Sequence, residues 1–233
     1  MEGSPPRRKL RPPSPPGSAA QPSLDCLPSE ILENIVARLG IREAVRTSAV
    51  SRAWRRRWET SPGLSFEWDR GEVDPAIVAP VLARYSRLIV SFRSGWVERE
   101  HSAYTDEWLV LLAGRGVESL TLGFMEFDDR RFHTIHSAMF SCRELTELYL
   151  ENCRLPAAPS GFLGFPNLTR LSLTMVNLPE HGESTLEEMI SLSPLLEWLD
   201  LKSVSSDGNH MDEWVIRAPN LKHLTIESDY DYL

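Results

Sequence analysis

No apolar run in this 233-residue chain approaches the roughly 18 residues of a membrane-spanning helix, so a helical membrane span is excluded. Cysteine is scarce, with only Cys26, Cys142 and Cys153. An odd number of thiols without a C-x-x-C pair argues against a disulfide framework and for a reducing compartment. The first residues lack the apolar stretch of a secretory signal. Enzyme motifs are missing too: there is no G-x-S-x-G, no H-E-x-x-H and no glycine-rich phosphate loop. His133 and His136 stand three residues apart on a segment expected to be helical. Two imidazoles without a carboxylate or thiol partner do not make a metal site, so no metal, cofactor or catalytic residue is expected.

What remains has the balance of a soluble globular protein, 42% hydrophobic and 25% charged. Its charge is lopsided. Residues 1–60 hold 11 Lys and Arg against 6 Asp and Glu, and the rest holds 14 against 27, giving −8 in all. Such an acidic C-terminal region is a poor nucleic-acid surface and suits a basic protein partner better. Residues 1–23 are rich in Pro, Ser and Gly, the composition of a disordered tail. The Pro-Arg-Arg-Lys-Leu-Arg stretch at 6–11 reads either as a nuclear import signal or as an ordinary basic cluster. Cytoplasm and/or nucleus is the location these features suggest.

The densest information lies in Leu27 to Trp58. Pro28 suits a first helical position, where its missing N–H costs nothing, and Glu30 falls in the first turn, where the helix dipole favours negative charge. Ile31, Leu32, Ile35, Val36 and Leu39 form one apolar stripe, and Gly40 stops the helix. A second short helix is expected from about Arg42 to Val50, with Val45, Ala49 and Val50 apolar. A third is expected to carry Trp54 and Trp58, four residues apart and on one face. Three helices in about 32 residues cannot enclose a core alone, so an apolar face is left for a partner or for the rest of the chain. Arg52, Arg55, Arg56 and Arg57 read as a solvated face.

Leu27-Pro28, the Ile/Leu stripe, the AVRTS stretch at Ala44–Ser48 and the closing Arg-Ala-Trp-Arg-Arg-Arg-Trp together resemble the F-box, near Asp25 to Leu64. In that family this trihelical motif docks onto the Skp-type adaptor of a cullin–RING ubiquitin ligase. The resemblance implies an adaptor-binding set of Leu27, Pro28, Ile31, Leu32, Ile35, Leu39, Val45, Val50, Trp54 and Trp58. The chain departs from the family at Leu39-Gly40, where Leu-Pro is common before the second helix.

The second half repeats. A hexad L-x-x-L-x-L recurs as Val117/Leu120/Leu122, Leu145/Leu148/Leu150, Leu168/Leu171/Leu173, Leu196/Leu199/Leu201 and Leu221/Leu224/Ile226. Its middle residues are spaced 28, 23, 28 and 25 apart, within the range of about 20–29 for leucine-rich repeats. Leu145 to Leu155 is the fullest unit, with Cys153 in the slot that prefers Asn or Cys. Pro166, Pro194 and Pro219 precede three of the hexads, as suits a turn leading into a strand. No unit can bury its own apolar side, so the units are expected to stack into a solenoid with a curved parallel sheet. Return helices are expected at Asp128 to Phe140 and Ser184 to Leu192, and another helix, capped by Thr105, is expected to stop at Arg115-Gly116. Residues between the hexad leucines face outward. Among them Tyr149, Arg170, Trp198 and His223 are candidates for target binding, with plain solvent-facing strand residues as the equal alternative.

Trp108, Ala113, Arg115-Gly116-Val117, Leu120 and Leu122 resemble the junction in plant F-box proteins with leucine-rich repeats. The expected fold is α/β: a tail at 1–23, a trihelical F-box at 24–64, a connecting segment at 65–104 and a leucine-rich-repeat region at 105–233. As the resemblance implies, the chain is a non-catalytic substrate adaptor of an SCF (Skp–cullin–F-box) ubiquitin ligase, with an unknown protein target. A stand-alone repeat scaffold, or an interfering fragment, is kept beside it. The sequence stops at Asp229–Leu233 without a recognisable polar cap, which leaves a C-terminally truncated array as a further expectation.

Overall fold

The computed structural model describes residues 26–61, 65–68, 74–125, 132–180, 182–206 and 215–228. The tail at 1–23 and the last residues, 229–233, lie outside them.

Helix α1 spans Ser29–Val36 and follows Pro28, whose extended ψ of 149° makes it the cap rather than the first helical residue. Its buried residues, Leu32 and Val36, are four apart, as helical periodicity requires. Helix α2, Ile41–Arg46, buries Ile41 and Ala44 and runs into a 3-10 turn at Thr47–Ala49. The expected third helix is not an α-helix. Trp54 lies in a turn and Trp58 in a 3-10 helix, Arg57–Thr60.

Beyond it, the described strands form one parallel sheet. Strands β1 (Ser65–Trp68), β2 (Ser91–Val97), β3 (Ser119–Phe124), β5 (Glu147–Arg154), β6 (Arg170–Leu178), β7 (Trp198–Lys202) and β9 (His223–Glu227) lie side by side in chain order. The short strands β4 (His133–Thr134) and β8 (Ser205–Ser206) pair with β5 and β6. One inward ladder crosses the whole sheet in register: Phe66, Phe92, Leu120, Leu148, Leu171, Leu199 and Leu224. The sheet therefore begins in the segment 65–104, where Phe66 and Phe92 stand in the leucine slot and Ser94 takes the place of the third.

Backbone chemistry at each strand start repeats with the sequence. Thr146 N and Glu147 N both donate to Glu118 O; Thr169 N and Arg170 N donate to Thr146 O; Glu197 N and Trp198 N donate to Thr169 O. Pro166, Pro194 and Pro219 each sit at the second position of a turn closed onto the leucine that opens the hexad, as in Leu168 N donating to Phe165 O. Proline presets φ for that position and has no N–H to lose there. At the strand ends a residue in the left-handed region recurs: Asn152, Met175 and Ser203, with φ near 54, 50 and 51°. Each stands two residues past the third hexad leucine, and the Asn152 amide donates to Phe124 O at 3.1 Å.

Helix α3 (Val78–Arg84), helix α4 (Tyr104–Ala113) and helix α5 (Gly182–Ser191) supply buried side chains to the same core, among them Leu82, Trp108 and Met189. Helix α4 ends before Gly114, and Gly116 adopts φ +62, as expected for this junction. Thr105 is not its cap: Thr105 lies inside the helix, is buried, and donates to Ser102 O. The helix expected over 128–140 is replaced, within the described residues, by β4 and a 3-10 turn at Ser137–Ser141; 126–131 lie outside them. His133 and His136 thus share no helix. His133 faces Asp106 at 3.7 Å, while the His136 ring accepts from Ala138 N.

Candidate interaction surfaces

The apolar residues of the trihelical segment divide into two sets. Leu32 is buried, and Trp54 and Trp58, expected to face a partner, retain only 3% and 1% exposure. Their surroundings explain the burial. Arg84 of α3 lies over the Trp58 ring, 5.3 Å from its centroid, and forms a hydrogen-bonded ion pair with Glu59. Arg56 closes on the same carboxylate at 2.9 Å. Burial works to raise the pKa of Glu59, but hydrogen bonds and charge from Arg56 and Arg84 outweigh it and hold the carboxyl below its ordinary range. Tyr85 Oη donates to Ser61 O at 2.7 Å, and Ser86 N and Oγ both donate to Glu59 O. Trp58 therefore lies in the seam where the helical unit meets the end of α3.

The other set is open to solvent. Leu27, Ile31 and Val50 are 36, 46 and 57% exposed, Pro28 is exposed, and Ile35, Leu39 and Val45 are half-buried. Ile31 and Ile35 are four apart on α1, so they lie on one side of that helix.

The second surface is the open face of the sheet. Ser119, Glu147, Arg170, Trp198 and His223 form one row across the strands, and Thr121, Tyr149, Ser172, Asp200 and Thr225 the next. All four residues singled out from the sequence lie here and touch in series. Arg170 donates to Tyr149 Oη at 3.2 Å and sits 4.8 Å over the Trp198 ring, which stacks on His223 at 4.2 Å. Hydrogen bonding to Tyr149 raises the pKa of Arg170, which keeps its charge throughout. A cavity of about 290 Å³ opens beside Tyr149, with Thr121, Ser172 and Thr174 among its lining and charged rims at Arg93, Glu147 and Glu151. Sequence periodicity missed its β2 side, because the strand carrying Arg93 lacks the leucine hexad.

The two buried thiols offer no reactive site. Burial pushes Cys142 up to about 12 and Cys153 higher still, which keeps both protonated. Glu98, Glu100 and His101 cluster on the surface, but they carry no buried ligand geometry that selects an ion.

Comparison with known proteins agrees with this architecture. Residues 24–65 match the F-box domain, and residues 105–231 match the family described as "FBD-associated F-box protein At5g56370, LRR repeats". The "F-box/FBD/LRR-repeat protein At1g13570" of Arabidopsis thaliana is 32% identical over 218 residues, covering 88% of this chain and 48% of that protein. The "F-box/LRR-repeat protein 25" of Arabidopsis thaliana is 29% identical over 186 residues, covering 79% of this chain and 69% of that protein. The chain spans about half the length of the first curated relatives it matches, at 48, 49 and 54%. The helical unit, the parallel solenoid and these matches together make the chain a member of the F-box/LRR family.

Proposed function

We propose that the chain is the substrate-recognition subunit of an SCF ubiquitin ligase, working in cytoplasm and/or nucleus. Leu27, Pro28, Ile31 and Val50, flanked by Ile35, Leu39 and Val45, dock on a Skp-type adaptor and through it reach the cullin–RING ligase. Leu32, Trp54 and Trp58 support that surface from beneath. Tyr149, Arg170, Trp198 and His223 hold the target on the open face of the sheet. Holding both partners at once raises the effective concentration of target lysines near the ubiquitin-charged enzyme, so the contribution of this chain is placement.

The observation that carries the proposal is the exposed apolar set on the helical unit. Leu27, Ile31 and Val50 remain open to solvent on the helical unit, as an adaptor-docking surface requires. The same observation weighs against the stand-alone scaffold. Co-purification with a Skp-type adaptor tests it. Ile31→Asp combined with Val50→Asp is expected to abolish capture while leaving the circular dichroism spectrum intact. Undiminished capture by that folded double variant would remove the proposed docking surface.

A further inference from the structure

Strand β2 alternates regularly at first, with Phe92 inward, Arg93 outward and Ser94 inward. A register shift between Ser94 and Trp96 then breaks the alternation. Continued period-two geometry would turn Trp96 into the core. Instead the bulge turns it out, leaving the indole 55% exposed while Val97 takes the buried position. A bulge that re-aims a large aromatic into solvent leaves apolar area uncovered, and such devices cluster near functional sites.

Trp96 is paired in register with Gly123, and Gly123 with Glu151. A Cβ on Gly123 would meet Trp96 Cδ1 at 3.2 Å and Glu151 Oε2 at 3.7 Å. The indole edge and the carboxylate therefore converge over a floor with no side chain. Glu151 also rims the cavity beside Tyr149. The other carboxylate there, Glu147, is engaged by the Ser119 hydroxyl at 3.2 Å. An aromatic surface next to a carboxylate is the arrangement that recognises an organic cation: the charge meets the carboxylate and the ring covers the polarised methylenes. The strongly acidic balance of residues 61–233, 14 basic against 27 acidic, draws basic segments towards this surface.

We infer that the exposed indole of Trp96 and the Glu151 carboxylate, which close over Gly123, form a receptor for a single lysine or arginine side chain of the target protein. This rests on the proposal that the open face of the sheet holds the target. It adds a specificity-determining position on β2 and β5, beside the Arg170–Trp198–His223 series of β6, β7 and β9.

Selection of a random phage-displayed peptide library on the full chain tests it. Wild type is expected to enrich peptides carrying one Lys or Arg, and Glu151→Lys to switch that preference to Asp or Glu. Trp96→Ala is expected to weaken a selected peptide about tenfold, the size of a partly desolvated cation–π contact, with Trp96→Phe retaining most of the affinity. Ser172→Trp, which puts bulk on the open face, reports on the underlying proposal. Peptides lost on Ser172→Trp but free of basic enrichment and indifferent to Glu151→Lys would overturn the cation receptor and leave the open-face site standing. Peptides that bind regardless of Ser172→Trp would overturn both.

Discussion

Trp58 and Ile31 show how one motif carries two opposite duties. Trp58 is enclosed in the seam between the helical unit and the end of α3, so Trp58→Ala leaves a cavity as well as losing transfer energy. A loss of about 3–5 kcal/mol in urea unfolding is expected. Ile31→Asp, at an open position, is expected to change stability by less than about 0.5 kcal/mol while removing adaptor capture. Glu59 adds a pH signature at the same seam. Its folded pKa lies below the ordinary value of 4.5, so its stabilisation is present above that value and is lost as pH falls through the folded pKa. Urea midpoints measured downward from neutral pH are expected to converge for wild type and Glu59→Gln below about pH 4.5, with the wild type higher above it. Parallel pH profiles would show that ionisation of Glu59 contributes nothing to folding.

At the scale of elements, glycine positions separate two costs that sequence alone cannot distinguish. Gly161 and Gly164 both hold left-handed backbone, with φ of +85 and +77. A Cβ at Gly161 meets nothing within 4 Å, whereas one at Gly164 would fall 2.1 Å from Leu192 O in the next repeat. Gly161→Ala is expected to cost about 1–2 kcal/mol from backbone conformation. Gly164→Ala is expected to add about 1–3 kcal/mol of overpacking between repeats, read as a lower melting temperature. The same scale shows what was legible. Five hexads announced β3, β5, β6, β7 and β9 because leucine at fixed spacing has no other economical explanation. Strands β1 and β2 were hidden because Phe66, Phe92 and Ser94 fill slots that a leucine pattern does not score. Trp54 and Trp58 had helical spacing but sit on a turn and a 3-10 helix, where side-chain direction follows tertiary packing. Of the candidate site, Tyr149, Arg170, Trp198 and His223 were readable from outward strand parity. Trp96 was not, since a bulge inverts the parity that such inference depends on.

Across the whole molecule, stability in a stacked sheet depends on neighbours on both sides, so it is expected to vary along the strand order. Leu171 lies in the middle of the ladder and is fully buried between Leu148 and Leu199. Leu224 and Ile226 occupy equivalent inward positions in β9 and are 50 and 54% exposed, with β7 as their neighbouring strand among the described residues. Strand β9 should therefore open locally at much lower free energy than β5 or β6. Amide hydrogen exchange is expected to be fastest in His223–Glu227 among the hexad strands and slowest in β5 and β6. Leu171→Ala is expected to cost about 2–5 kcal/mol, while Leu224→Ala, which gives up half as much burial, costs about 1 kcal/mol. Uniform protection across all seven ladder strands would mean that the sheet opens as one cooperative unit. The open face, which shares its strands, would then be as rigid at β9 as at β5. A gradient would mean instead that the strands of this chain open separately, with β9 before β5 and β6.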